Sequence, residues 1–351
     1  MALVDRGERE NPVLHRDSAT AAQPIRGAIV SGEQQQRPVV VGVDGTDEAI
    51  TAARWAAGLA VWHGEPLHLV HAMTGVDEAL LVATNADHAD DVGDYPRALG
   101  QAVLDRASAA VHADFPTLRI TRTLSHDSPR DALVECGRHA RMVVTACADV
   151  SPQGALLVGS TTLAVATHAA CPVVAWRGQA VAPNDRPVVV GVDVDDERSS
   201  RGALATAFEL ADCLGVGVVA VHAVSARRTL GEVDIPILID WNAIKDEARQ
   251  RLLDIVALTS DRWPNVTVSC AVEMGRANRV ILSQAADAQL VVVGSRGRGG
   301  LASVLLGSTS LGVLHHATVP VVVCPARMAD PLSEHSGSAS TPGRESVASP
   351  R

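Results

Sequence analysis

Aromatic side chains are nearly absent: Trp, Tyr and Phe together make up 2% of the 351 residues. Large rings therefore cannot fill the interior, which must be built from Val, Leu, Ile and Ala. With 47% apolar residues the chain has enough for two sizeable cores. That composition suits parallel sheets covered by helices on both faces. Lysine is scarcer still, with Lys245 the only one. A Walker loop needs a lysine beside its glycines to reach the β- and γ-phosphates, and Lys245 lies far from any glycine run, so a P-loop NTPase is excluded. No apolar run approaches the roughly 18 residues of a membrane helix. Met1–Pro12 are charged and lack the apolar core of a signal peptide. The six cysteines (Cys136, Cys147, Cys171, Cys213, Cys270 and Cys324) are scattered, with no C-x-x-C pair. Such a set reads as small hydrophobes in a reducing compartment, so the cytoplasm is the expected location. The formal net charge of −10 argues against nucleic acid or an anionic membrane as the main partner. Any anion site must be a local arrangement.

What is present is a repeat. Arg37-Pro38-Val39-Val40-Val41-Gly42-Val43-Asp44 recurs as Arg186-Pro187-Val188-Val189-Val190-Gly191-Val192-Asp193. Leu69–Ala72 recurs as Ala220–Ala223, Val158–Thr161 as Leu306–Thr309, and Cys171–Val174 as Val319–Val322. The separation, about 150 residues each time, is a domain length and not a solenoid period. Within each copy, short β-branched runs alternate with Ala/Leu-rich amphipathic stretches, which implies right-handed βαβ units and a parallel sheet. Strands are expected near 38–43, 66–72, 118–124, 141–146 and 172–176, and again near 187–192, 216–222, 265–272, 289–293 and 319–323. Helices in the second copy are expected near 198–214, 241–262, 276–287 and 308–316. The organisation expected is a disordered tail over 1–36, domains over 37–177 and 186–326, and a second disordered tail over 327–351.

The chemistry concentrates in Val291–Ser310, VVVGSRGRGGLASVLLGSTS. A buried strand runs into Gly294-Ser295-Arg296-Gly297, and Gly307-Ser308-Thr309 then opens a helix. Glycines let a ligand approach the backbone closely, and exposed N–H groups at a helix N-terminus suit an anion, above all a phosphate. Arg296 and Arg298 add positive charge, so the stretch reads as a polyphosphate cradle. Gly297–Ala302 imitates a dinucleotide fingerprint, but it follows a late strand and no acid appears until Asp330. A tight glycine turn without a ligand stays open as the structural alternative.

Spacing, repeat and strand context together resemble the universal stress protein family in its tandem two-domain form. The resemblance covers about residues 37–326 and rests on the family's pattern G-x-x-G, nine residues, G-S/T, matched in full by Gly294, Gly297, Gly307 and Ser308. It implies two doubly wound α/β domains, each a five-stranded parallel sheet of order 3-2-1-4-5 with helices on both faces. It also implies ATP or a related adenine nucleotide as ligand, with Mg²⁺. By the resemblance, Gly294, Gly297 and Gly307 wrap the phosphates, Ser308, Thr309 and Ser310 donate hydroxyls, and Asp193 lines the pocket near the ribose or adenine. For Asp193 a turn-forming or capping role is the alternative; for Arg296 and Arg298 it is a solvated loop charge. Asp195, Asp196 and Glu197 form an acidic loop that suits either a water-mediated Mg²⁺ or a helix cap. The family's fifth strands pair, which here predicts pairing of Pro172–Trp176 with Pro320–Val323 within the chain. Homodimerisation of whole chains is compatible with this, and the implied regulatory protein partner is not identified by the sequence.

The first copy departs from the pattern. Ala146 stands for Gly294, Asp149 for Gly297, and Ala148 and Val150 for the two arginines, while Gly159, Ser160 and Thr161 survive. A carboxylate about 4 Å from a phosphate costs about 4 kcal/mol at an effective dielectric of about 20, or about three decades of affinity. The expectation is one nucleotide per chain, in the second copy. His71 and His222 read as strand-end core histidines, and the adjacent His315 and His316 face different directions. No catalytic residue is assigned. The roles left are an ATP-dependent regulator in the stress response, a slow ATPase or nucleotidyl-transfer enzyme lacking an evident base, and a nucleotide-independent dimerisation scaffold.

Overall fold

The repeated Val-Val-Val-Gly run forms the first strand of each half, β1 (Val39–Gly42) and β6 (Val188–Gly191). All three valines of each run are buried, since helices cover both faces of the sheet and no outward face is left. The closing glycines let a neighbouring side chain pack close, and a larger residue would oblige its tip to shift. A Cβ on Gly42 would lie 2.9 Å from Leu133, and one on Gly191 2.6 Å from Ile281.

A computed structural model describes residues 36–73, 89–147, 158–178, 184–225, 240–295 and 306–326. Residues 1–35 of the first expected tail and all of the second lie outside them, while Gln36, the last residue of the first, accepts from Arg119 Nη1 at 3.0 Å. After β1 the first half continues α1 (Asp47–His63), β2 (Leu67–Ala72), α2 (Ala89–Asp114), β3 (Ile120–Ser125), α3 (Pro129–Gly137), β4 (Met142–Ala146), α4 (Ser160–His168) and β5 (Val173–Trp176). After β6 the second half continues α5 (Glu197–Leu214), β7 (Val218–Val224), α6 (Trp241–Ser260), β8 (Val268–Met274), α7 (Ala277–Ala285), β9 (Leu290–Gly294), α8 (Ser308–His316) and β10 (Val321–Cys324).

The strands form one ten-stranded sheet, ordered β3-β2-β1-β4-β5-β10-β9-β6-β7-β8. Each half is parallel in the order 3-2-1-4-5, and the halves meet antiparallel, with Val321 opposite Ala175, Val322 opposite Val174 and Val323 opposite Val173. Those six side chains are at most 1% exposed, so the join is core and leaves neither fifth strand as an edge. One core layer, under α1, α2, α5 and α6, runs continuously across both halves, and a second does so under α3, α4, α7 and α8. With so few rings, aromatic packing is local: Phe208 stacks on Trp263 with centroids 5.6 Å apart.

Helix starts follow cap chemistry. Thr46 accepts from Ala49 N–H at α1, Ser128 from Asp131 N–H at α3, and Asp240 from Asn242 and Ala243 N–H at α6. α1 stops at Gly64, whose φ of 67° is left-handed, and Gly215 repeats this after α5 with φ 69°. On the N-terminal side of β4, polar groups tie the halves. Arg141 Nη1 lies 2.6 Å from Glu209 Oε1, while His63 Nδ1 is 3.5 Å from the same oxygen. At the other end of the join, buried Arg177 donates from Nη1 to the Ala317 carbonyl at 2.7 Å, just beyond the C-terminus of α8.

Candidate functional site

In each half the chain reverses its direction of travel across the sheet between the first and fourth strands, which are adjacent and parallel. Ligands of doubly wound sheets bind outside the carboxyl ends of strands at such a point. In the second half this crevice receives Asp193, two residues beyond β6, and Gly294, the last residue of β9. The crossover from β9 to β10 brings the N-terminus of α8 to the same end.

The β9 exit is knit tightly. Ser295 N–H donates to the Cys324 carbonyl at 2.6 Å, and the Ser295 carbonyl accepts from Gly307 N–H at 2.8 Å. The Ser295 hydroxyl accepts from Ala326 N–H at 3.1 Å. Ser310, 3% exposed, turns its hydroxyl inward onto the Gly294 carbonyl. It therefore fixes the loop exit, while Ser308 is exposed and Thr309 half-buried at the helix start. Gly307 is the N-cap of α8 with φ −62° and ψ 150°, and no side chain caps the helix. These dihedrals are open to any residue, so what glycine contributes at 307 is the missing Cβ. The first-turn N–H groups and the positive end of the helix dipole are left to a ligand. Arg296, Gly297 and Arg298 lie outside the described residues.

The opposite wall is the loop after β6. His222 Nδ1 donates to the Val192 carbonyl at 2.9 Å, which fixes the tautomer at the end of β7, and His71 does the same for Val43 at 2.7 Å. Both strand-end histidines are therefore tethers. Ser200 Oγ accepts from Asp193 N–H at 2.9 Å and lies 3.1 Å from the Asp193 carbonyl. The Asp193 carboxylate accepts from Asp195 N–H at 3.3 Å, an Asx turn that orders the acidic loop. Arg251 on α6 donates to the Val194 carbonyl at 2.9 Å and pairs with Asp195 at 2.7 Å. Motif spacing signals neither Ser200 nor Arg251. Arg251 sits on a helix remote in sequence, and only the tertiary fold delivers it. Asp195 spends charge on Arg251, so Mg²⁺ would depend mainly on the nucleotide's own phosphates.

The first half repeats the frame with other contacts. Gly159 caps α4 without a side-chain bond, and an added Cβ there would meet nothing within 4 Å. Thr162, the counterpart of Ser310, donates to Thr145 Oγ1 at 3.1 Å, and Cys147, the counterpart of Ser295, has its sulfur 3.8 Å from Thr162 Oγ1. Ala148, Asp149 and Val150 lie outside the described residues.

These features define a duplicated, doubly wound α/β protein with a glycine-opened helix at the sheet's switch point. The chain belongs to the universal stress protein family, whose model matches residues 36–177 and again 186–325. It is similar to the universal stress protein Rv2005c of Mycobacterium tuberculosis, 37% identical over 302 residues that span 84% of this chain and 99% of that protein. Rv2623 of the same species is 33% identical over 297 residues, 81% of this chain and 95% of the relative. A solved universal stress protein from Archaeoglobus fulgidus matches with a TM-score of 0.61 at 17% identity, over 84% of this chain and all of that one. That likeness is one of fold. Among the described residues no helix is long and apolar enough to cross a membrane.

Proposed function

We propose that the chain is a cytoplasmic, nucleotide-dependent regulator that holds one adenine nucleotide, ATP with its Mg²⁺, in the second half. The observation that carries this reading is the uncapped N-terminus of α8, opened by Gly307 beside the β9 exit and across from Asp193. A run of free N–H groups at a strand-end crevice is suited to phosphate. Gly294, Gly297 and Gly307 let the backbone follow the phosphates, Ser308 and Thr309 supply hydroxyls, Arg296 and Arg298 neutralise charge, and Asp193 faces the ribose or base. Occupancy changes the surface around the start of α8, and that change is the signal read by a protein partner or a second copy. The test is titration of nucleotide-stripped protein with Mg²⁺-ATP, followed by a search for ADP release at saturation. Saturable binding without turnover supports the reading. Rapid hydrolysis would make the protein an enzyme, and no binding would leave a scaffold.

A further inference from the structure

The loops that follow the first strand of each half are pinned by an arginine from the second helix, yet the two arginines do not occupy equivalent positions. In the second half Arg251 of α6 gives Nη2 to the Val194 carbonyl and Nη1 to the Asp195 carboxylate, at 2.9 and 2.7 Å. In the first half Arg106 of α2 gives Nη1 to the Gly45 carbonyl and Nη2 to the Asp47 carboxylate, at 2.9 and 2.7 Å. Gly45 and Val194 are the same position of the repeat, each directly after the aspartate that follows the strand. The arginines differ in register: aligning Phe115-Pro116 with Trp263-Pro264 puts Val103, not Arg106, opposite Arg251. The same fork onto one backbone carbonyl and one carboxylate is thus built twice from helix positions about one turn apart. A guanidinium suits this because its planar donors satisfy two acceptors at once.

We propose that Arg251 is the positioning residue of the nucleotide site, locking the Val192–Glu197 loop so that Asp193 is held toward the ligand. The proposal rests on the second-half reading given above. The Arg251 and Asp195 side chains are 45% and 39% exposed, so the pair contributes little to global stability, and its effect lies in the geometry of the loop. A lock on the Asp193 side acts on the ribose or base end of the ligand and so treats mono- and triphosphates alike.

The test compares Arg251→Gln with Arg106→Gln in the full chain, by nucleotide titration, thermal unfolding and amide hydrogen exchange. R251Q is expected to weaken ATP and AMP equally, by about tenfold, a loss typical of one charge-assisted contact, with the melting temperature unchanged. It is also expected to speed exchange at the Asp195 and Asp196 amides, which bond to Asp193. R106Q should leave affinity as it is. Unchanged affinity in R251Q, an equal loss in R106Q, or a loss confined to ATP would overturn the proposal. Exchange needs no ligand: if the wild type binds no nucleotide the site reading fails, while unaltered exchange in R251Q separately refutes the lock.

Discussion

The two halves share strand order, layers, the glycine caps Gly64 and Gly215, the glycine N-caps Gly159 and Gly307, and the histidine tether at the second strand, and they differ at the exit of the fourth strand. In the second half Ser295 and Ser310 tie the glycine loop to backbone carbonyls and amides around Gly294, Gly307 and Ala326. In the first, Thr145, Cys147 and Thr162 satisfy one another, with Thr145 also donating to the Val174 carbonyl. Both sets of side chains are buried, but one exit commits its hydroxyls to backbone groups and the other bonds them chiefly to one another. The scaffold tolerated this because the join depends on β5 and β10, which both halves keep.

Exchanging residues between the halves breaks or sharpens the contrast. The largest effect is expected from Gly297→Asp, which copies Asp149. It should weaken ATP by about a thousandfold, from about 4 kcal/mol of charge repulsion, while the unfolding transition stays in place; titration beside a thermal melt checks both. The reverse exchange, Ala146→Gly with Asp149→Gly, should raise the stoichiometry toward two, with the new site weaker because Ala148 and Val150 replace both arginines.

A third exchange acts at the join. Gly64 and Gly215 are equivalent caps, so His63 stands where the second half has Leu214. Burial, helped by the Arg141 guanidinium, pushes the His63 imidazole down to about 4. The unfolded chain takes up this proton near pH 6.5, and the folded chain refuses it until about pH 4. Stability therefore falls as pH drops through that window. Between pH 7 and 5 the wild type should lose about 2 kcal/mol more than His63→Leu, measured by denaturant unfolding. The Glu209 carboxyl, raised by burial against the pull of Arg141, works in the opposite direction in both proteins. The smallest effect is expected from Ser295→Cys, which copies Cys147 and weakens the acceptor for Ala326 N–H. It should cost about 1 kcal/mol of stability and lower affinity several-fold, read by the same two assays.

The sheet was legible because its signals are local. Val188–Gly191 and Leu290–Gly294 are unbroken apolar runs closed by glycine, and the repeat doubled every observation. The order of the strands and the pairing of β5 with β10 came from resemblance, since valine runs such as 173–174 and 321–323 carry no information about their neighbours. At the candidate site, spacing picked out Gly294, Gly307 and Ser308, which the fold places at the end of β9 and the start of α8. Ser310 matched the hydroxyl pattern, yet its position in the first turn directs it inward to the Gly294 carbonyl. Arg251 and Ser200 were hidden, because each meets the Asp193 loop only when α5 and α6 pack on the sheet. The Asp193 turn is local, spanning three residues, and turn formation was already the alternative for that aspartate.

The most direct test of this account is a count of nucleotides per chain, by equilibrium dialysis of stripped wild-type protein against labelled ATP with Mg²⁺. Saturation at one, abolished by Gly297→Asp, is the predicted result. Saturation at two, with one site surviving Gly297→Asp, would contradict it, because the first half would then bind nucleotide despite Asp149.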